Sequence, residues 1–105
     1  EGLSVDKDER FRIAENLGEN KVLIMRNHGL LTVGETAGES FMNMYYAVRM
    51  CEVAVQAQSS GLELKSASKE LWEKSQKQYD AFFPGVSEWP ALLRRCDAID
   101  SSYKE

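Results

Sequence analysis

Apolar positions along this 105-residue chain change period several times, and each change marks an element. Between Asp6 and Leu17, Ile13 and Leu17 share a helical face, Asp6 and Glu9 have capping-box spacing, and Gly18 supplies a stop, so the pattern predicts a short amphipathic helix. Lys21 to Arg26 is apolar through Val22-Leu23-Ile24-Met25 without alternation, which predicts a strand covered on both faces. Asn27-His28-Gly29 reads as a turn, and Leu30 to Val33 as a second strand returning beside the first.

The longest element follows. Thr36 and Glu39 form a T-x-x-E capping box, and the helix they open runs to about Ser60 before Gly61 ends it. One stripe, Ala37, Phe41, Met44, Val48, Cys51 and Val55, keeps three-four spacing. Met42, Tyr45, Tyr46, Met50, Val53 and Ala54 occupy the other sides, and a helix apolar around so much of its circumference is buried between two layers or against another subunit. A third helix is predicted from Ser68 through Leu71, Trp72, Tyr79, Phe82 and Phe83 to the Pro84-Gly85 stop. Ser87 then caps a last helix with Pro90 in its first turn, carrying Leu92, Leu93, Cys96 and Ile99. Only two strands emerge, and a two-stranded hairpin is marginal alone in water. Further strands are therefore expected beside Lys21 to Val33, from an upstream segment or from another copy.

Composition narrows the class. With 43% hydrophobic and 29% charged residues the chain is ordinary globular material, a single domain at most. A net charge of -4 argues against nucleic acid as a partner, because phosphate neutralisation needs clustered Lys and Arg. No membrane span or signal peptide is read from the sequence, so a soluble, cytoplasmic protein is expected. Cys51 and Cys96 each fall on an apolar helical stripe, the pattern of reduced core thiols rather than of a disulfide.

His28 is the sole histidine. It stands at a strand end followed by glycine, where an imidazole can project into a cleft while the backbone turns tightly. A hydrogen-bonded turn residue is the plainer reading of such a position. One histidine cannot make a metal site, since a catalytic zinc takes about three protein ligands and an open position. Gly34-Glu35-Thr36-Ala37-Gly38 opens a helix, but Glu35 and Glu39 would repel a phosphate there, so capping is the better account. Tyr45, Tyr46 and Tyr79 read as core or interface residues. Tyr103 lies close to the chain end, where mobility is expected.

The run from Lys21 to Thr36, KVLIMRNHGLLTVGET, with Glu39-Ser40-Phe41 and Cys51-Glu52 beyond it, closely resembles the class II aldolase/adducin family. Trp89-Pro90-Ala91-Leu92-Leu93-Arg94 and Asp100-Ser101-Ser102-Tyr103 are similar to the adducin-like bacterial branch of that family. The resemblance extends over nearly the whole chain, and R-N-H-G-L with the following V-G-E is its specific marker. It implies an α/β fold: the C-terminal portion of an α/β/α domain with a mainly antiparallel central sheet. This portion holds an antiparallel strand pair followed by a long helix and two further helices.

Family enzymes such as L-fuculose-phosphate aldolase and L-ribulose-phosphate epimerase are zinc-dependent tetramers with sites near subunit interfaces. His28 aligns with their third zinc-binding histidine, whereas the H-x-H pair, the catalytic acidic residue and most of the phosphate-binding loop lie upstream in the family. The implied cofactor is therefore a zinc ion needing ligands from outside this chain. The implied substrate is a small hydroxy-carbonyl compound or sugar phosphate, cleaved in retro-aldol fashion with zinc as Lewis acid. His28 would be a ligand rather than a base, with Asn27 or Glu35 orienting its second ring nitrogen. Adducin head domains share the R-N-H-G-L block yet act as assembly modules of the membrane skeleton. The alternative is thus a non-catalytic scaffold with partners of the actin and spectrin type.

Overall fold

The structure, a computed structural model, describes residues 7–104. Its elements in chain order are α1 (Lys7–Leu17), β1 (Val22–Met25), β2 (Gly29–Thr32), α2 (Ala37–Ser59), α3 (Lys69–Ala81), α4 (Glu88–Ile99) and a 3-10 turn at Ser102–Lys104. The predicted antiparallel pair with a long helix and two later helices is what forms. Asp6, the predicted cap of the first helix, lies outside the described residues.

Local chemistry explains most boundaries. Gly18 adopts φ +54°, and its N–H closes α1 on the Ala14 carbonyl at 3.0 Å, the left-handed stop that glycine permits. Thr36 Oγ1 accepts the Glu39 N–H at 3.1 Å, as a capping residue should. The Glu39 carboxylate, however, accepts the Glu35 N–H at 2.8 Å, one residue before the cap, and so departs from the reciprocal box. Ser68 Oγ accepts the Leu71 N–H at 3.3 Å and caps α3 as predicted.

Two helix ends differ from the sequence reading. α3 stops at Ala81 instead of including Phe82 and Phe83, because Phe83 precedes Pro84 and a pre-proline residue is driven out of helical space. Ser87 precedes α4 without a side-chain capping bond. The Glu88 carboxylate does the equivalent work, accepting the Gly85 N–H at 3.0 Å and the Ser87 hydroxyl at 3.3 Å.

In the hairpin, Val22 stands opposite Thr32, Leu23 opposite Leu31, Ile24 opposite Leu30 and Met25 opposite Gly29. The strand period puts Val22, Ile24, Leu30 and Thr32 on one face. That face turns to α2, where Thr32 Oγ1 donates to the Ser40 carbonyl at 3.0 Å and Asn43 Nδ2 donates to the Val33 carbonyl at 2.9 Å. Asn43 is only 3% exposed, and its Oδ1 accepts the Tyr79 hydroxyl at 2.9 Å, so one amide ties α2, the end of β2 and α3 together. At the other end, α4 meets α2 where Gly38 and Gly85 bring two backbones into contact beneath Trp89, whose ring tilts against Phe41.

Apolar burial is slight. Met42 and Ala47 are the buried hydrophobic residues among those described, and β1, predicted to be covered on both faces, leaves Ile24 70% exposed. The α2 stripe residues Phe41, Val48 and Val55 are exposed, and Cys96 is a free surface thiol rather than a core one. The accessible surface is 9246 Å², against about 6,000 Å² for a compact chain of this mass. The radius of gyration is 17.2 Å, against about 13 Å. What the apolar pattern asks to bury is not buried within these residues.

The α2 N-terminus carries a pH-dependent clasp. Lys21 Nζ lies 2.7 Å from Glu39 Oε1. This bond first, and the Glu35 N–H second, hold the Glu39 carboxyl below the ordinary glutamate range. A depressed carboxylate adds stability above its unfolded pKa of about 4.3 and loses it as pH falls through the lower folded value. Thermal midpoints of Glu39→Gln should therefore fall short of wild type at neutral pH and converge with it in acid. A gap independent of pH between 2 and 7 would count against the clasp.

Candidate functional site

The hairpin connection positions the imidazole. Arg26, Asn27 and His28 bridge the Met25 and Gly29 pair, and the His28 N–H donates to the Met25 carbonyl at 3.2 Å. Asn27 takes φ +54°, a left-handed conformation that asparagine tolerates better than most side chains. Gly29 belongs to β2, so the turn sits one residue earlier than the sequence reading placed it. His28 is thereby set at the hairpin tip, exposed, and among the described residues its ring has no hydrogen-bond partner.

Asn27 is its immediate neighbour, whereas Glu35 follows the far end of β2, with about 10 Å of strand between them. The fold of this chain does not bring Glu35 to His28. Among the described residues no group of three or more His, Cys, Asp and Glu side chains is placed to hold a metal ion. These residues offer a zinc ion one donor and do not by themselves fit it.

The glycine-flanked opening of α2 behaves as a cap. Gly34 has no room for a side chain, because a Cβ there would lie 2.7 Å from the Ser40 nitrogen. The Glu39 carboxylate already occupies the region where a phosphate would bind, and Glu19 and Glu35 line the cleft beside it.

An open apolar groove of about 770 Å³ lies under β1, walled by Val22, Ile24 and Leu30, by Tyr46, Met50 and Cys51 of α2, by Tyr79 of α3 and by Phe82 just past the end of α3. Tyr103 is held rather than loose. Tyr103 donates its hydroxyl to Asp97 Oδ1 at 2.6 Å, and Lys104 Nζ lies 2.7 Å from the same oxygen. The bond to Asp97 pushes the Tyr103 phenol up to about 12. Tyr103 with Asp97, and the buried Asn43, escaped the sequence reading. A six-residue spacing across a helix end has no periodic signal, and an asparagine on an apolar helix looks like any surface residue.

Comparison with known proteins places these features. Residues 4–55 match the family described as Class II Aldolase and Adducin N-terminal domain. A Pseudomonas aeruginosa protein whose name assigns it provisionally to the class 2 aldolases is 33% identical over 100% of this chain and 43% of its own length. An adducin-related protein of Schizosaccharomyces pombe is 31% identical over 98% of this chain and 35% of its own. The crystal structure of an aldolase II superfamily protein from Pseudomonas syringae superposes with a TM-score of 0.83 at 32% identity, over 100% of this chain and 43% of that one. The chain therefore spans less than half the length of these relatives.

Proposed function

The chain belongs to the class II aldolase and adducin family, and from that premise we propose that it forms the His28-bearing part of a metal-dependent aldolase-type enzyme. The reaction proposed is retro-aldol cleavage, or related chemistry, of a small hydroxy-carbonyl or sugar-phosphate substrate. The observation that carries this reading is the imidazole at the hairpin tip: exposed, without a hydrogen-bond partner among the described residues, and fixed by a turn that Asn27 and Gly29 permit. Its role is that of one zinc ligand, with the remaining donors supplied from outside the chain. Asn27 is the neighbour best placed to orient it. A cytoplasmic setting is part of the same proposal; among the described residues no helix is long and apolar enough to cross a membrane.

The 105-residue chain alone should show no aldolase activity and should yield zinc readily to a chromogenic chelator, because one ligand does not hold the ion. Stoichiometric zinc that survives chelation, or measurable aldehyde release, would sink the shared-site reading. In a polypeptide that supplies the rest of the site, His28→Ala should lose its zinc. Unchanged metal content would show that His28 is not a ligand.

A homo-oligomer is the second part of the reading, motivated by the exposed outer face of α2 with Tyr45, Val48 and Val55. Light scattering across micromolar concentrations should report a species larger than the monomer, and a constant monomer mass would contradict it. Similarity to rat alpha-adducin, 45% identical over 60 residues and 56% of this chain, favours the alternative of a non-catalytic assembly module. That alternative keeps the oligomer and dispenses with the zinc.

A further inference from the structure

We propose that Arg26 and Asn27 hold a carboxylate of the substrate beside His28, which makes that substrate a hydroxy-oxo acid. The inference rests on the reading above that His28 stands at the reacting end of the site, and it adds the group that the neighbouring turn residues recognise. Charge is the first observation. Arg26 is exposed at the hairpin tip and makes no hydrogen bond or ion pair with the described residues. Cations elsewhere are matched: Glu39 takes Lys21 at 2.7 Å, and Asp97 takes Lys104 at 2.7 Å. Glu19 and Glu35 flank the other end of the hairpin, about 10 Å of strand away. Cys51 shares the groove with Ile24 and Leu30, but its neighbour Glu52 is engaged by Arg49 at 3.1 Å. In a chain of net charge -4, the tip is a positive point that no carboxylate among the described residues compensates.

The turn also gathers its donors in a small, fixed space. Asn27 at φ +54° and the His28 N–H on the Met25 carbonyl at 3.2 Å hold the connection between Met25 and Gly29. Two residues of chain span at most about 7 Å, so the Arg26 and His28 Cα atoms lie within that distance. The methylene stem of arginine is long enough to carry its guanidinium across much of it. Beside the turn the space is open, because a Cβ at Gly29 would meet no heavy atom within 4 Å. A ligand can therefore lie along the tip with one end at the imidazole and the other at the guanidinium.

The donors select an oxyanion, and the spacing selects which one. A guanidinium presents a planar fork that two carboxylate oxygens fill, and the Asn27 amide adds further N–H donors. Phosphate offers similar charge, but a phosphate ester sets an oxygen and a phosphorus between the reacting carbon and its charged oxygens. A carboxylate bonded directly to the carbonyl carbon is the shorter bridge and suits two side chains this close. The substrate class is therefore a 2-oxo acid with a hydroxyl at C4. In its retro-aldol cleavage the C3–C4 bond breaks, the C4 hydroxyl loses its proton as the aldehyde leaves, and the bonding pair passes to the C2 carbonyl. C3 then takes up a proton, which balances the one lost and leaves a 2-oxo acid.

The test is a nuclear magnetic resonance titration of the 105-residue chain with pyruvate and with its neutral amide, followed at the Arg26 guanidinium and the Asn27 side-chain amide. Pyruvate should move both signals at concentrations at least about tenfold below those the amide needs, while Arg94 and Arg95, exposed on α4, stay in place. Arg26→Gln should abolish the response at Asn27, and Arg26→Lys should keep it at reduced affinity, since a point charge replaces the fork. Equal responses to both compounds, equal shifts at Arg94 and Arg95, or a stronger response to inorganic phosphate would overturn the inference. In a polypeptide that supplies the rest of the site, Arg26→Gln should raise KM for a 4-hydroxy-2-oxo acid about 10–100-fold with kcat held within about threefold, erasing the preference over the matching amide. A fall in kcat with KM unchanged also counts against the carboxylate role. If neither compound is cleaved while pyruvate still moves the tip signals, the enzyme reading fails and the carboxylate site stands.

Discussion

Gly85→Ala should destabilise the junction of α2 and α4 by about 2–5 kcal/mol, the sum of a left-handed backbone penalty of roughly 1–2 and an overpacking cost of roughly 1–3. Gly85 adopts φ +91°, and a Cβ there would lie 2.4 Å from the Gly38 carbonyl carbon and 2.6 Å from the Glu39 nitrogen. Both obstacles are backbone atoms, which cannot swing aside as a side-chain tip can. Gly38→Ala provides the internal comparison. Its Cβ would meet the Trp89 Cβ at 2.9 Å, but the backbone there is helical, so the gain in helix propensity of about 1 kcal/mol offsets part of the clash. Urea titrations followed by helical circular dichroism should rank Gly85→Ala well below Gly38→Ala. If Gly85→Ala unfolds at the wild-type midpoint, the backbone contact is not formed in solution.

Asn43→Leu should lose about 2–3 kcal/mol, although it places an apolar side chain on an apolar helix. The buried amide donates to the Val33 carbonyl at 2.9 Å and accepts the Tyr79 hydroxyl at 2.9 Å, so its removal strips a partner from two groups at once. Tyr79→Phe removes one of those bonds while keeping the ring against Tyr46, and should cost about 1 kcal/mol. The two losses should not add. In a double-mutant cycle the coupling should reach about 1 kcal/mol, as for residues sharing a hydrogen bond. A leucine variant as stable as wild type, or strict additivity, would mean that the amide does not hold α3 in place.

Both predictions concern contacts invisible to periodicity, and they mark where reading the sequence stops. Val22 to Met25, the Thr36 and Ser68 caps and the stops at Gly18 and Gly61 were legible because each rests on neighbours a few residues away. The turn at Arg26-Asn27-His28 was legible for the same reason, since φ +54° at Asn27 suits asparagine, whereas the family rests on the resemblance of the R-N-H-G-L block. Failures came where a distant residue decided the outcome. The apolar run of β1 was read as doubly covered, yet Ile24 stands exposed, because apolar composition records a demand for burial and not what meets it. The resemblance implies Asn27 or Glu35 as the residue that orients His28, and β2 carries Glu35 to the opposite end of the hairpin.

By itself, then, the sequence determined the order and nature of the elements and placed its one imidazole at a strand end. Those properties depend on short-range sterics, caps and turn conformations, which act within a few residues. Only the tertiary structure decided that Asn43 is the tie between α2, β2 and α3, and that Gly38 and Gly85 let two backbones touch. It also decided that the apolar surface of β1 and α3 faces open space. These depend on which residues meet across the fold, and a chain that leaves 9246 Å² exposed shows the difference: local pattern chooses the elements, and packing chooses their partners.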